Sequence, residues 1–126
     1  EKGRKDRTYR HHRPFSGTFR MALELPWVET IMFPYNIVED QAKELIHACA
    51  EKNIGFIAMK PLAGGAIEDA VTALRYVCAN PDVTVVIPGM ADIAELNQNL
   101  AAVNDSSPLS VEEEARCAPS AATRSA

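Results

Sequence analysis

The chain has 126 residues, of which 47% are hydrophobic and 24% are charged, and its formal net charge is −4. This length allows one small domain at most, with a composition ordinary for a globular protein. No apolar run reaches the roughly 20 residues that span a bilayer, and no secretory signal follows the basic N-terminus. Cys49, Cys78 and Cys117 contain no C-x-x-C pair. They therefore indicate neither a zinc site nor an iron–sulfur cluster, and they favour a reducing, cytoplasmic setting.

The charge is unevenly distributed along the chain. Residues 1–20 carry seven Lys or Arg against two Asp or Glu, whereas residues 21–126 carry six against fifteen. Residues 1–15 show no apolar period. A basic arm that binds nucleic acid is one interpretation, and a disordered or aberrant segment is the one we prefer.

Alternating strand and helix patterns begin at Ser16. The predicted strands are 28–33, 55–59 and 83–87, and the predicted helices are 16–25, 37–52, 66–79 and 92–103, with a last short helix from Ser110. The helical spacing predicts buried faces that include Cys49, Cys78 and a stripe of Ile93, Leu96, Leu100 and Val103. Residues 116–126 show no packing pattern, and we expect a disordered tail.

The strands start about every 27 residues, which fits a β/α barrel and, nearly as well, a doubly wound α/β sheet. In both folds ligands meet the C-terminal strand ends, here 34–36, 60–65 and 88–90. Gly64 and Gly65 at a predicted helix N-terminus could bind an anion, with Lys60 adding charge. The alternative is a tight turn that needs two glycines. Catalytic constellations are scarce: Glu29 lies within a strand, and His47 lies on a solvated helix face.

Four motifs in this order resemble the C-terminal half of an aldo/keto reductase: Phe33-Pro-Tyr-Asn36, Ile54-Gly-Phe-Ile-Ala-Met-Lys-Pro-Leu-Ala-Gly-Gly65, Val86-Ile-Pro-Gly-Met90 and Asn97-Gln-Asn99. The resemblance covers about residues 20–115. It is greatest to the branch with a C-terminal ferredoxin-like iron–sulfur extension. It implies an α/β fold, namely the last three β/α units of a (β/α)8 barrel over residues 16–115.

The resemblance implies that the loops after the last two strands bind NADPH or NADH. Tyr35 would follow the sixth strand, and Met59 would pack on the nicotinamide. Residues 60–65, with Lys60, Leu62 and Gly64, would pass along the pyrophosphate. The adenosine end would be held by Pro88, Gly89, Met90, Gln98 and Asn99.

Three departures from the family pattern shape the prediction. The catalytic Asp, Tyr, Lys and His of the family lie in the first half of the barrel, which this chain lacks. Gly89 and Glu95 stand where NADPH-preferring members often place Lys and Arg, so NADH is slightly favoured. The cysteines that bind the iron–sulfur cluster in intact relatives are missing.

Residues 1–15 raise a separate hypothesis. Shifting the reading frame of residues 8–15 by one base permits a pattern that contains the family's expected fifth strand. The basic segment could therefore be an out-of-frame translation, which the nucleotide sequence would test.

We therefore predict a fragment of an NAD(P)H-dependent oxidoreductase that retains cofactor-binding elements and has little or no activity alone. An intact relative would transfer hydride between a nicotinamide and a small carbonyl or alcohol. Non-enzymatic binding of a nucleotide or anion through Gly64 and Gly65 is the alternative. Nucleic acid binding through residues 2–13 is a third hypothesis.

Overall fold

The computed structural model describes residues 17–39 and 41–117. Within them lie three β-strands and five α-helices, in the order α1 (Gly17–Glu24), β1 (Thr30–Pro34), α2 (Lys43–Glu51), β2 (Gly55–Met59), α3 (Ala70–Cys78), β3 (Val85–Ile87), α4 (Ile93–Asn104) and α5 (Val111–Cys117). A single 3-10 turn, Ala63–Gly65, follows β2. The predictions about residues 1–15 and 118–126 lie outside the described residues.

The strands form a parallel sheet in the order β1-β2-β3. Pro34 pairs with Met59, and Met59 pairs with Ile87, so the three strands end at one level. Because parallel strands place their carboxyl ends on one edge, the loops after β2 and β3 become neighbours. The bounds predicted for β2 are confirmed.

The helices cover one face of the sheet. Phe56 and Ala58 of β2 are fully buried in a core that includes Leu45 and Ile46 of α2 and Val77 of α3. The alternate residues on the opposite face, among them Met32 and Val85, are exposed or half-buried. Helices on a single face of consecutive parallel strands are the arrangement of a β/α barrel, whereas a doubly wound sheet carries helices on both faces. The predicted fold class, part of such a barrel, is confirmed.

Helix α2 begins later than the 37–52 pattern predicts, at Lys43. The side chain of Asn36 is the reason, because its Oδ1 accepts hydrogen bonds from the backbone N–H groups of Val38 and Glu39. An asparagine that bonds to the backbone two and three residues further on forms a turn in place of a helical start.

Helix α3 is also shorter than predicted, because Asp69 is its N-cap and does not lie inside its first turn. The Asp69 carboxylate accepts hydrogen bonds from the backbone N–H and the hydroxyl of Thr72. Partial burial raises the pKa of Asp69, but these hydrogen bonds and the nearby Arg116 and Arg75 outweigh it, so the net pKa is lowered. Cys78, predicted to be buried, is exposed at the end of this helix.

Helix α4 carries an apolar stripe that was predicted to lie in the core, and this stripe faces solvent. The exposed fractions of Ile93, Leu96, Leu100 and Val103 range from 40% to 74%. The buried side of the helix carries Asn99 and Ala102. Helical spacing identified an apolar face correctly, but the prediction that it would be buried within this chain is wrong for the described residues.

Arg75 holds the last two helices against α3. Its side chain is only 8% exposed, and its Nη1 donates to Glu113 at 2.7 Å while Nη2 donates to the carbonyl of Ser107 at 2.9 Å. Nε lies 3.3 Å from Asp105, off the direction of a hydrogen bond. A hydrogen bond from the backbone of Ser110 and a second from Arg75 hold the pKa of Glu113 below its ordinary value.

Candidate functional site

A cleft of about 740 Å³ lies where β2 and β3 end. Its walls come from the loop after β2, the approach to α3, the end of β3 and the first turns of α4. This is the carboxyl edge of a parallel sheet, where α/β folds bind their ligands.

Eight of the eleven predicted cofactor residues border this one cleft. They are Met59, Lys60, Leu62, Gly64, Gly89, Glu95, Gln98 and Asn99. The two β/α units that supply them are separate in sequence, and the parallel pairing of Met59 with Ile87 brings their exit loops together.

The other three predicted residues do not border the cleft. Tyr35 is only 2% exposed, its N–H donates to the carbonyl of Met59 at 3.1 Å, and its ring lies 5.8 Å from that of Tyr76. Pro88 is half-buried in the loop after β3, and Met90 is half exposed. Tyr35 therefore belongs to the core beneath the site.

The loop after β2 has an unusual backbone. Lys60 and Ala63 have positive φ values of 50° and 51°, and Gly64 and Gly65 follow at 69° and 93°. A side chain added at either glycine would meet no atom within 4 Å, so this backbone is open to a ligand. Positive φ at non-glycine residues is uncommon and concentrates at functional sites.

Gly64 and Gly65 do not lie at the N-terminus of an α-helix, the position on which the predicted anion site depends. The N–H of Gly65 donates to the carbonyl of Leu62 at 3.0 Å. The glycines belong to a three-residue 3-10 turn, and α3 begins only at Ala70. The structure agrees with the alternative weighed from the sequence, a tight turn that needs two glycines.

Asn99 borders the cleft and carries a buried hydrogen-bond donor that has no partner in the described part of the chain. The residue is 7% exposed, and its Nδ2 has no partner among the described residues. Buried polar atoms are nearly always hydrogen-bonded, because leaving one unpaired costs about 1–3 kcal/mol. Asn99 is therefore a candidate for contact with a ligand in the cleft, because it both borders the cleft and carries this unpaired amide.

Glu95 caps the helix on which it lies. Its N–H donates to Asp92 Oδ1 at 2.8 Å, and its own carboxylate accepts from the N–H of Ala91. The Asp92 side chain is the N-cap of the helix, and the Glu95 carboxylate reaches back one residue further, to the residue before that N-cap, in a variant of the capping box. One carboxylate oxygen thus fixes the loop after β3 while the side chain borders the cleft.

Pro61 and Gly65 lie within the 60–65 segment predicted to pass along the pyrophosphate, whereas four cleft residues were missed as site residues: Ile67, Glu68, Ala70 and Ile87. Ile67 and Glu68 fall inside the predicted helix 66–79, whereas the structure places them in the loop before α3, which begins at Ala70. Asp69 followed three residues later by Thr72 is a helix N-cap pattern. It is the sequence signal that would have predicted a longer loop and a helix that begins at Ala70. With Glu68, the cleft lining contains two carboxylates, the other being that of Glu95. Lys60 supplies its single ammonium group.

Within residues 17–39 and 41–117, no group of three or more His, Cys, Asp or Glu side chains is placed to hold a metal ion. In the same part of the chain, no helix combines the length and apolar character needed to cross a bilayer.

The fold and the cleft define a portion of a β/α barrel that includes its ligand-facing edge. Residues 21–72 match the sequence model of the aldo/keto reductase family. The resemblance seen in the sequence is thus confirmed, with residues 21–72 similar to this family. A comparison with curated protein sequences gives no match.

Solved aldo-keto reductases share the fold. The holo form of AKR11C1 from Bacillus halodurans matches with a TM-score of 0.66 at 20% identity, over 79% of this chain and 45% of that one. Its apo form gives the same TM-score. The thermostable Tm1743, solved with the inhibitor epalrestat, matches with a TM-score of 0.53 at 20% identity, over 68% of this chain and 37% of its own. The chain therefore spans less than half the length of these structures.

Proposed function

We propose that this chain is the nucleotide-binding portion of an aldo/keto reductase-type oxidoreductase, with NADH or NADPH lying along the cleft between the loops after β2 and β3. In an intact relative, the reaction would be hydride transfer between the nicotinamide and a small carbonyl or alcohol. The proposal concerns nucleotide binding and assigns no catalytic residue in this chain. The non-enzymatic alternative at Gly64 and Gly65 is weakened by the internal hydrogen bond of Gly65.

The observation that carries this proposal is the convergence of the predicted cofactor residues on one cleft. Met59 and Lys60 come from the β/α unit that begins with β2, and Gln98 and Asn99 come from the next unit, which begins with β3. The unpaired Nδ2 of Asn99 is a donor suited to a ring nitrogen of adenine. The cleft volume of about 740 Å³ lies within the range of small-molecule and cofactor sites.

We propose that NADH is preferred to NADPH. The carboxylates of Glu68 and Glu95 outnumber the single ammonium group of Lys60 in the cleft. A carboxylate near the ribose can accept a hydrogen bond from its 2′-hydroxyl and repels a 2′-phosphate.

Two further elements belong to the proposal. An iron–sulfur cluster is expected in intact relatives of the suggested branch and not in this chain. A cytoplasmic setting is supported by Cys49, Cys78 and Cys117, all of which are free thiols in the structure.

Calorimetric titration with NADH tests the proposal, using the whole chain and two matched variants. Asn99→Leu should weaken binding about tenfold, the effect of losing a buried hydrogen bond worth ~1.4 kcal/mol. Asn97→Leu, on the exposed part of the same helix and away from the cleft, should leave the dissociation constant unchanged.

The melting temperature shows whether weaker binding reflects unfolding. Asn99→Leu should melt at or above the wild-type temperature, because it removes an unpaired buried amide. Absence of NADH binding by the wild-type chain, or equal losses in both variants, would contradict the proposal. Binding to duplex DNA alone, with a steep salt dependence, would support the nucleic acid hypothesis instead.

A further inference from the structure

We infer that Asn36, which does not border the cleft, is a positioning residue that holds the loop after β2 in its ligand-binding shape. The inference deepens the proposed function and rests on it for the identity of the ligand. The contact that carries it joins the Asn36 side chain to the backbone of Lys60, 24 residues further along the chain.

Both ends of the Asn36 amide are in use. The side chain is fully buried, its Nδ2 donates to the carbonyl of Lys60 at 3.0 Å, and its Oδ1 accepts from Val38 at 3.0 Å and Glu39 at 2.8 Å. The Oδ1 contacts form the turn after β1. The Nδ2 contact has no part in that turn and instead joins the loop after β1 to the loop after β2.

The carbonyl of Lys60 is fixed from two sides. It accepts from Asn36 Nδ2 and also from the N–H of Ala63, again at 3.0 Å. Lys60 has a φ of 50°, a left-handed conformation that is unfavourable for a lysine and needs support from its surroundings. The hydrogen bond from Asn36 supplies this support, since it orients the peptide that leaves Lys60.

The consequence reaches the cleft through the backbone. The turn closed by Lys60 and Ala63 carries Pro61 and Leu62 and leads to Gly64, and all three border the cleft. The adjacent bond from Tyr35 N–H to the carbonyl of Met59 anchors the start of the same segment. Asn36 thus sets the position of one wall of the cleft from outside it.

Asn36→Asp separates the two tasks of the side chain. An aspartate keeps an oxygen that accepts from Val38 and Glu39, but it loses the donor to Lys60 and places a second oxygen against that carbonyl. Asn53→Asp is the matched control, because Asn53 is exposed and precedes β2, whereas the cleft lies where β2 ends. Asn36→Asp should weaken NADH binding about tenfold, equivalent to ~1.4 kcal/mol, and Asn53→Asp should not.

Amide hydrogen exchange gives a readout that does not depend on nucleotide. In Asn36→Asp, exchange should accelerate at Ala63 and Gly65 and stay slow at Val38 and Glu39. Adding Lys60→Gly to that variant should slow exchange at Ala63 again, because glycine adopts positive φ without cost. This readout would support the role of Asn36 even if the wild-type chain failed to bind NADH, an outcome that would overturn the proposed function alone.

Two results would overturn the inference. One is wild-type exchange at Ala63 in Asn36→Asp. The other is equal acceleration at Ala63, Val38 and Glu39 with a lowered melting temperature, which would assign Asn36 a general structural role.

Discussion

At the residue scale, Glu95 combines a structural and a recognition task. Its carboxylate accepts the N–H of Ala91 and so shapes the loop after β3, and it also contributes negative charge to the cleft. A glutamine can make the same capping contact without the charge, because Glu and Gln both serve at this position of a capping box. The two tasks can therefore be separated by one substitution.

We predict that Glu95→Gln tightens NADPH binding relative to NADH while leaving stability within about 0.5 kcal/mol of wild type. Loss of a like charge near the 2′-phosphate should change the ratio of the two dissociation constants about five- to tenfold, the effect of roughly 1 kcal/mol. Paired titrations with both nucleotides measure it. Glu112→Gln, an exposed change on α5, is the control. An unchanged ratio would remove Glu95 from cofactor selection.

The residues of the site were predictable to different degrees. Glycine, proline and lysine after an apolar strand identified the loop after β2, because few other segments combine these residues. Tyr35 was assigned a site role by resemblance, whereas the structure buries it beside Tyr76. The hydrogen bond from the Asn36 side chain to the Lys60 carbonyl joins residues 24 positions apart, and no local sequence pattern predicts such a contact.

At the element scale, the sequence predicts the carboxyl end of each strand to within one residue, whereas the starts of two helices are wrong. The bounds of β2 follow from an apolar run between Gly55 and the Lys60-Pro61 pair. The starts of α2 and α3 were predicted too early, because Asn36 and Asp69 bond to nearby backbone N–H groups. Such side-chain contacts compete with helix formation, and apolar spacing does not register them.

We predict that Arg75 is a main support of the packing among α3, α4 and α5. Arg75→Met should lower the free energy of unfolding by roughly 1.5–3 kcal/mol, the range for hydrogen bonds to charged groups. Arg116→Met, which removes an exposed ion pair to Asp69 at 3.6 Å, should cost less than about 1 kcal/mol. Urea denaturation measures both. Equal losses would show that Arg75 contributes no more than a surface pair.

The contact between Arg75 and Glu113 should make the free energy of unfolding depend on pH in the acidic range. Because the pKa of Glu113 is lowered in the folded chain, the unfolded chain binds its proton more readily. The contribution of Glu113 is fully present above its ordinary value of 4.5 and is lost as the pH falls through the lower, folded pKa. The decline of stability below pH 4.5 should therefore be shallower in Glu113→Gln. An identical acid profile would contradict this role.

At the scale of the whole molecule, the described residues leave both edges of the sheet unpaired and a continuous apolar surface exposed. Val85 and Ile87 of β3 are 45% and 43% exposed, and the apolar stripe of α4 is exposed as well. A barrel has no open edges because its sheet closes on itself. Three strands cannot close in this way, and open edges of this kind pair with other chains.

We predict concentration-dependent association of the purified chain, measured by sedimentation velocity. Val85→Lys, which places a charge at the open β3 edge, should shift the distribution toward the monomer. Val111→Lys, at an 84% exposed position on α5, should not. A monomeric wild-type chain, or the same shift in both variants, would contradict association through β3.

The position of the cleft residues along the chain bears on how such a site can be inherited. Every described residue that borders it falls between Met59 and Asn99, so its walls come from one continuous stretch of β-strand, loop, helix, strand and helix. A single recombination event could therefore transfer the whole described lining, leaving catalytic groups elsewhere to change independently. The described lining of the cleft could therefore be inherited as one unit.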